Sequence, residues 1–261
     1  MSGADGPVRV GLDGEVAVVE LARPERANCM DGPMFGALSD ALDQVAETPG
    51  VRAVVLCGAG KHLCAGGDLD HPLFSDDDAD SRRRQISQAY EVTNRMLDLQ
   101  VPIVCAIQGR CAGAGLALVL STDLRIAARS AVFSLDFVRL GVVPDMGLCW
   151  LLASTVGTGR ALELAMTGDL MGAPQAHEWG IVTAVVDDGR EREVAIERAR
   201  ALCAFPPGGL AAIRSLVRTA PFVDRHEAFR QEIDTMTELS ATPDARNRLQ
   251  AFRQRARGAT R

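Results

Sequence analysis

Lysine is nearly absent from this chain. Of its 28 basic residues only Lys61 is a lysine, so chemistry through a lysine Schiff base has a single, poorly placed candidate. Long apolar runs are missing too. Every hydrophobic stretch is interrupted by Gly, Pro or charge before the roughly 20 residues that a membrane span needs, and no basic N-terminal segment precedes a hydrophobic one. The expected location is the cytoplasm. There is no basic excess either: a formal charge of −6 and a pI near 5.3 leave little room for the concentrated basic surface that nucleic-acid phosphates require, although a local patch can hold one small phosphorylated ligand. Metal-ligand spacing is also lacking. The cysteines (Cys29, Cys57, Cys64, Cys105, Cys111, Cys149 and Cys203) are odd in number, sit mostly in apolar runs and form no CxxC or Cys/His pattern, so they read as reduced packing residues. His62, His71, His177 and His226 show no metal spacing, and His71, near an expected lid, is the one a mutational test takes first.

What is present is enough for one sizeable core, with 261 residues and 47% hydrophobic content. Val8 to Leu12 and Glu15 to Leu21 alternate around Asp13-Gly14, a hairpin signal. Met34, Leu38, Ala41, Leu42 and Val45 recur at helical spacing, and Val51 to Cys57 is a continuous apolar run suited to a buried strand. Helix then strand repeats at Tyr90 to Leu99 and Val101 to Gln108, and again at Gly113 to Ser121 and Leu124 to Ala128. This alternation predicts an α/β layer of ββα units. Past Asp188 the pattern changes to helices alone, at 190–203, 209–219, 223–239 and 245–257. We therefore expect a core over residues 1–188 and a helical region over 189–261 that covers its own core or a neighbouring subunit. The acidic run Asp76-Asp77-Asp78-Ala79-Asp80 before Arg82-Arg83-Arg84 reads as an exposed loop entering a helix, with acid where the helix dipole prefers it.

Two glycine-rich stretches carry the chemistry. Cys64-Ala65-Gly66-Gly67-Asp68 and Gly109-Arg110-Cys111-Ala112-Gly113-Ala114-Gly115 each follow a β-type run, and the second opens a helix whose free N–H groups face an anion or enolate. Read structurally, each is a tight turn. Two of them in one domain suit a pair of amide donors aimed at one carbonyl oxygen, where losing one donor costs about 3 kcal/mol of transition-state stabilisation.

With Arg23-Pro24-Glu25-Arg26-Ala27-Asn28, Asp123, Leu140-Gly141-Val142-Val143-Pro144-Asp145 and Ala176-His177-Glu178-Trp179-Gly180-Ile181-Val182, these motifs resemble the enoyl-CoA hydratase/isomerase (crotonase) superfamily, in order and over nearly the whole chain. The Val-Pro-Asp, Gly-Ala-Gly and Ala-His-Glu-Trp-Gly segments are most similar to its isomerase branch for ring-epoxidised phenylacetyl-CoA. The resemblance implies a crotonase-like ββα superhelix with an all-helical C-terminal trimerisation region, as a trimer or hexamer. It also implies an acyl-CoA thioester as substrate, with no metal or redox cofactor and CoA entering only with the substrate. The Gly67 and Ala114 amides then form the oxyanion hole. Arg26, Ala27, Ala65 and Gly66 surround the CoA, and Phe252 and Arg255 on the last helix reach the CoA of an adjacent subunit. Arg26 is otherwise a surface loop arginine.

One departure directs the functional reading. The two glutamates of family hydratases fall here on Ala117 and Phe137, which cannot carry the protons that hydration needs. Asp145 remains, among Phe137, Leu140, Val142, Val143 and Trp150. Apolar surroundings raise an aspartate pKa toward that of a useful base, whereas the plainer reading is a cap for a helix starting near Met146. Asp68 reads as an organiser of its own turn, and Asp136 as a second acid that strand alternation points away from Phe137's face. The leading expectation is a 1,3-proton shift on an acyl-CoA (3-enoyl to 2-enoyl), or the rearrangement of a related CoA thioester, through Asp145 and the oxyanion hole. A hydratase-like member, a dehalogenase-like attack by Asp145 on the acyl group and a catalytically degraded CoA-binding homologue are the alternatives. The last is suggested by the lost glutamates and by Gly147-Leu148-Cys149-Trp150, where similar sequences continue with Gly and Thr. The acyl-pocket wall is expected between Asp70 and Gln88 and from the C-terminal helices.

Overall fold

The computed structural model describes residues 6–70 and 78–258. His71, Asp76, Asp77 and residues 71–77 of the expected pocket wall lie outside the described residues.

Strands Val8–Asp13 (β1) and Val16–Leu21 (β2) form the hairpin that Asp13-Gly14 predicts. Helix Gly32–Glu47 (α1) starts where the Asp31 carboxylate accepts the Met34 N–H, satisfying an amide that the helix cannot. It buries Met34, Leu38, Ala41, Leu42 and Val45, the five residues that helical spacing selects. Strand Ala53–Gly58 (β3) is buried throughout, as a strand covered on both faces must be. Val54 and Leu56 enter one core, while Ala53, Val55 and Cys57 enter the other.

Helix Ala79–Asp98 (α2) begins at the acidic run that reads as a loop entering a helix, well before Tyr90, where its apolar periodicity starts. Asp78 caps it by accepting the Asp80 and Ser81 amides, and nothing is buried before Ala89, so apolar periodicity is silent over its first turns. Strand Ile103–Ile107 (β4), strand Arg110–Ala112 (β5), helix Ala114–Leu120 (α3), strand Leu124–Ala128 (β6) and strand Val132–Ser134 (β7) follow. Helices Leu148–Val156 (α4) and Thr158–Thr167 (α5), strand Met171–Gly172 (β8), helix Ala173–Glu178 (α6) and strand Ala184–Val186 (β9) complete the sheets.

The main sheet has the order β1-β2-β3-β4-β6-β9 and is parallel apart from the β1 edge. A second, three-stranded sheet, β5-β7-β8, carries the strand that leads into α3. Helix Glu191–Cys203 (α7) packs on β3 and β4, where Ala195, Ala199 and Cys203 join the second core. One compact unit runs through Cys203, and another starts at Ala204. The second unit holds helices Pro207–Thr219 (α8), Arg225–Ser240 (α9) and Pro243–Gly258 (α10). Among the described residues, no helix is long and apolar enough to cross a membrane.

Cys57, Cys64, Cys105, Cys111 and Cys203 are buried free thiols, in keeping with a packing role. Burial pushes the Cys57 thiol up to about 11 and the Cys64 thiol up to about 12.

Asn28 ties the loops at the ends of β2 and β3 together. Its side chain is fully buried, donating from Nδ2 to the carbonyls of Ala59 and His62 and accepting the Arg23 N–H on Oδ1. Its φ of +53° belongs to a region that Asn tolerates better than most residues. Asn28→Ala strands three polar groups and is expected to lower unfolding free energy by about 2–3 kcal/mol. Urea denaturation with an unchanged m-value checks this, and an unchanged midpoint contradicts it.

Candidate functional site

The two glycine stretches meet because residues 63–68 run between two other segments. On one edge Ala65 N–H donates to the Ala27 carbonyl (3.0 Å), the Gly66 carbonyl accepts the Met30 N–H (2.8 Å), and Asp68 N–H donates to the Met30 carbonyl (2.8 Å). On the other edge the Cys64 carbonyl accepts the Ala112 N–H at 3.1 Å, within a parallel bridge between Cys64 and Cys111. Within a trans peptide the carbonyl and the following N–H point opposite ways. With Gly66 and Asp68 turned toward Met30, the N–H of Gly67 is directed to the opposite edge, the one that carries residues 111–114.

Gly113 and Ala114 stand there. Gly113 takes φ +48° and donates its N–H to the Ser134 carbonyl (3.1 Å). A Cβ at Gly113 would lie 3.9 Å from the Gly66 Cα and 3.3 Å from the Phe137 Cζ, so the two turns and the phenyl ring touch. Ala114 opens α3 and has no positive φ, so its alanine side chain costs no strain there. Its N–H is among the first amides of a helix, which have no partner within it. Gly115 follows where any Cβ would clash with the Cys64 carbonyl, which is why the helix start can approach the first glycine segment so closely. Among the described residues, no protein acceptor is recorded for the Gly67 or Ala114 N–H. Two free amides beside each other on abutting turns can polarise one carbonyl oxygen.

Ala27 and Ala65 are joined directly by their backbone bond, and Gly66 is buried beside them. Arg26 is half exposed, but its Nη2 donates to both Asp68 carboxylate oxygens at 2.7 Å and to Asp70 at 3.0 Å. Asp68 also accepts the Asp70 N–H at 3.1 Å, the local turn bond expected of it. The Arg26 hydrogen bond is the main cause holding the Asp68 carboxyl below its usual range, against an opposing push from burial. Arg23, which pairs with Asp31 at 2.5 Å and with Asp68 at 3.6 Å, is a member of this cluster that motif reading misses. Phe252 and Arg255 lie on α10 of the second unit, both exposed.

Asp145 is half buried, and burial raises its carboxyl pKa above the ordinary aspartate value, against a smaller opposing bond to its own backbone. Helix α4 starts at Leu148 with Gly147 as its cap and no side-chain cap bond, so Asp145 is not the helix cap. Among the described residues, no ion pair is recorded for it. The apolar sequence around it needs correction: Val142 and Val143 are exposed on the irregular loop 141–147, and Leu140 at the end of the 3₁₀ turn and Trp150 on α4 are exposed as well. The loop is linked to the second glycine turn through Phe137, whose carbonyl accepts the Val142 N–H at 3.1 Å and whose ring lies against Gly113. Pro144 lines an apolar cavity of about 120 Å³ with Leu135 and Leu148, and Leu135 follows the Ser134 that holds Gly113.

The hydratase positions carry no carboxylate. Ala117 is fully buried on α3, and Phe137 rests on Gly113. Asp136 is committed elsewhere, accepting from Ser134 Oγ (2.8 Å) and pairing with Arg110 (3.2 Å). It sits with Phe137 in a 3₁₀ turn over Asp136–Leu140, not in a strand, so its separation from Phe137 does not come from strand alternation. Of the histidines, His62 accepts the Arg110 N–H on Nδ1. Among the described residues, no group of three or more His, Cys, Asp or Glu is arranged to hold a metal ion.

The enoyl-CoA hydratase/isomerase family model matches residues 12–258. A 1,2-epoxyphenylacetyl-CoA isomerase from Escherichia coli (strain K12) is 36% identical over 239 residues, 91% of this chain and 91% of that one. A probable enoyl-CoA hydratase from Rhodobacter capsulatus is 30% identical over 246 residues, 94% of each chain. Among solved structures, an enoyl-CoA hydratase from Polaromonas sp. JS666 superposes with a TM-score of 0.91 at 27% identity, over 96% of this chain and 98% of that one. With this fold, these motifs and a match across almost its whole length, the chain belongs to the enoyl-CoA hydratase/isomerase family.

Proposed function

We propose that the protein is an acyl-CoA isomerase that moves a double bond from the 3- to the 2-enoyl position, or rearranges a related thioester, by proton transfer through Asp145. The observation that carries the reading is the distribution of carboxylates. Asp68 and Asp136 are tied up in ion pairs, the hydratase positions are Ala117 and Phe137, and among the described residues Asp145 is the carboxylate whose pKa burial raises, on the loop that follows the Phe137 turn packed against Gly113. In this reading the thioester oxygen docks on the Gly67 and Ala114 amides. Asp145 takes a proton from carbon flanking the carbonyl, the amides hold the dienolate, and the same carboxyl returns the proton two carbons away. One group is base and then acid, whereas hydration needs a second group to activate water.

The CoA lies along Arg26, Ala27, Ala65 and Gly66, with Phe252 and Arg255 reaching the CoA of an adjacent subunit in a homotrimer or dimer of trimers. The exposed Ile213, Val217, Phe229 and Ile233 of the second unit suit such an assembly. Similarity to the Escherichia coli isomerase makes a ring-epoxidised phenylacetyl-CoA the first substrate to assay beside 3-enoyl thioesters.

Asp145→Asn is expected to lower kcat by about 10²- to 10⁴-fold. It also removes the acid limb of kcat/KM, which exists because the base must be ionised and lies above the ordinary aspartate range because burial raises this carboxyl. The stability effect has the opposite sign. A carboxyl raised by folding disfavours the native state once ionised, so its contribution is fully present below the unfolded pKa and is lost as pH rises through the folded one. The variant should therefore melt at or above the wild-type temperature at pH 7, with the difference vanishing in acid. Retention of the rate within about threefold overturns the reading.

Ala114→Pro tests the amide itself. Proline is accepted at the first position of a helix, so the substitution deletes one N–H where the backbone conformation suits it. A kcat loss of about 10²- to 10³-fold with a folded circular dichroism spectrum is expected. An active Ala114→Pro enzyme contradicts the oxyanion role.

A further inference from the structure

Thr93 is a buried hydroxyl that the proposed reaction does not use, and it is bound to the loop that carries Asp145. It lies on the inner face of α2 with Ala89, Val92 and Met96. A helical threonine commonly returns its hydroxyl to a carbonyl of the preceding turn. Here Oγ1 donates instead to the Met146 carbonyl at 3.0 Å, 53 residues away in sequence. The methyl group has its own neighbour: a Cβ at Gly147 would lie 3.9 Å from Thr93 Cγ2.

The loop needs such a hold. Met146 has φ +52° and Gly147 has φ +73°, two consecutive left-handed residues, and the Leu148 N–H closes the turn on the Asp145 carbonyl at 2.9 Å. Left-handed backbone is disfavoured for a non-glycine residue and persists only where the surroundings over-determine it. Two anchors do so here: the completely buried Met146 side chain and the Thr93 hydroxyl. The direction of the Asp145 side chain follows from the turn into which its backbone is locked.

We infer that Thr93 is a positioning residue, aiming the Asp145 carboxylate by fixing the left-handed Met146-Gly147 turn from α2. The inference rests on the proposed role of Asp145, and it separates the two branches of the threonine. Thr93→Val keeps the shape and the methyl group but loses the hydrogen bond, whereas Thr93→Ser keeps the hydrogen bond.

The test measures kcat and KM on a 3-enoyl-CoA for Thr93→Val and Thr93→Ser, each alone and combined with Asp145→Asn. Misplacing a reacting group by about an ångström can cost up to about 100-fold, so Thr93→Val should lose about 10-fold or more in kcat with KM within about twofold. Thr93→Ser should keep most of the wild-type kcat. In the Asp145→Asn background, Thr93→Val should cost nothing further. Gly147→Ala, which strains the turn from its other side, should show the same kcat-only loss, and it serves as the second probe if Thr93→Val does not fold.

A wild-type kcat in Thr93→Val overturns the inference. So does equal impairment of the Ser and Val variants, or an undiminished Thr93→Val loss in the Asp145→Asn background. Asp145→Asn with full activity removes the reading of Asp145 and this inference together, whereas an inactive Asp145→Asn beside a fully active Thr93→Val removes this inference alone.

Discussion

The hydrogen bond from Ala112 N–H to the Cys64 carbonyl is the constraint on which the site depends. It joins two segments far apart in sequence, and it acts together with the bonds that hold residues 65–68 against Ala27 and Met30 on the other edge. A segment bonded on both edges cannot rotate one peptide without breaking a bond to a neighbour. The orientation of the Gly67 amide is thus fixed by pairing it does not take part in. Each bond is worth only about 1 kcal/mol net, but together they set a direction, and direction is what a preorganised donor needs. Gly115 permits the close approach, since a side chain there would push α3 off the Cys64 carbonyl.

Around this frame two aspartates are driven apart. The Arg26 guanidinium beside Asp68 keeps that carboxyl ionised and committed to the loop, whereas burial raises Asp145 and leaves it unpaired among the described residues. Opposite environments acting on the same side-chain type separate a structural role from a proton-carrying one. The proposed chemistry asks for the second kind, and the raised pKa comes at a stability cost near neutral pH.

The hairpin, the buried face of α1 and the doubly covered β3 were legible in the sequence because each is a local pattern that matches its burial: alternation for the hairpin, helical spacing for α1 and an unbroken apolar run for β3. The glycine turns were legible because left-handed backbone and close approach leave few residue types to choose from. Other features were not. Apolar periodicity does not reach the start of α2, which the acidic run alone marks, and the sheet formed by β5, β7 and β8 consists of strands of two or three residues, too short for alternation to show. Leu140, Val142, Val143 and Trp150 read in sequence as apolar surroundings for Asp145 and are exposed, since composition reports what could be buried and not which way a side chain faces. Thr93 gave no sign at all: its partner is a backbone carbonyl, and no pattern in sequence records that pairing.

The account turns on two amides gripping one oxygen, and vibrational spectroscopy observes that grip without requiring turnover. Difference infrared spectra of phenylacetyl-CoA carrying ¹³C at the thioester carbonyl, free and bound, report how strongly the C=O bond is polarised. The account predicts a carbonyl band shifted to lower frequency on binding, with the shift largely abolished in Ala114→Pro. A bound band at the frequency of the free thioester, or a shift that survives unchanged in that variant, contradicts it.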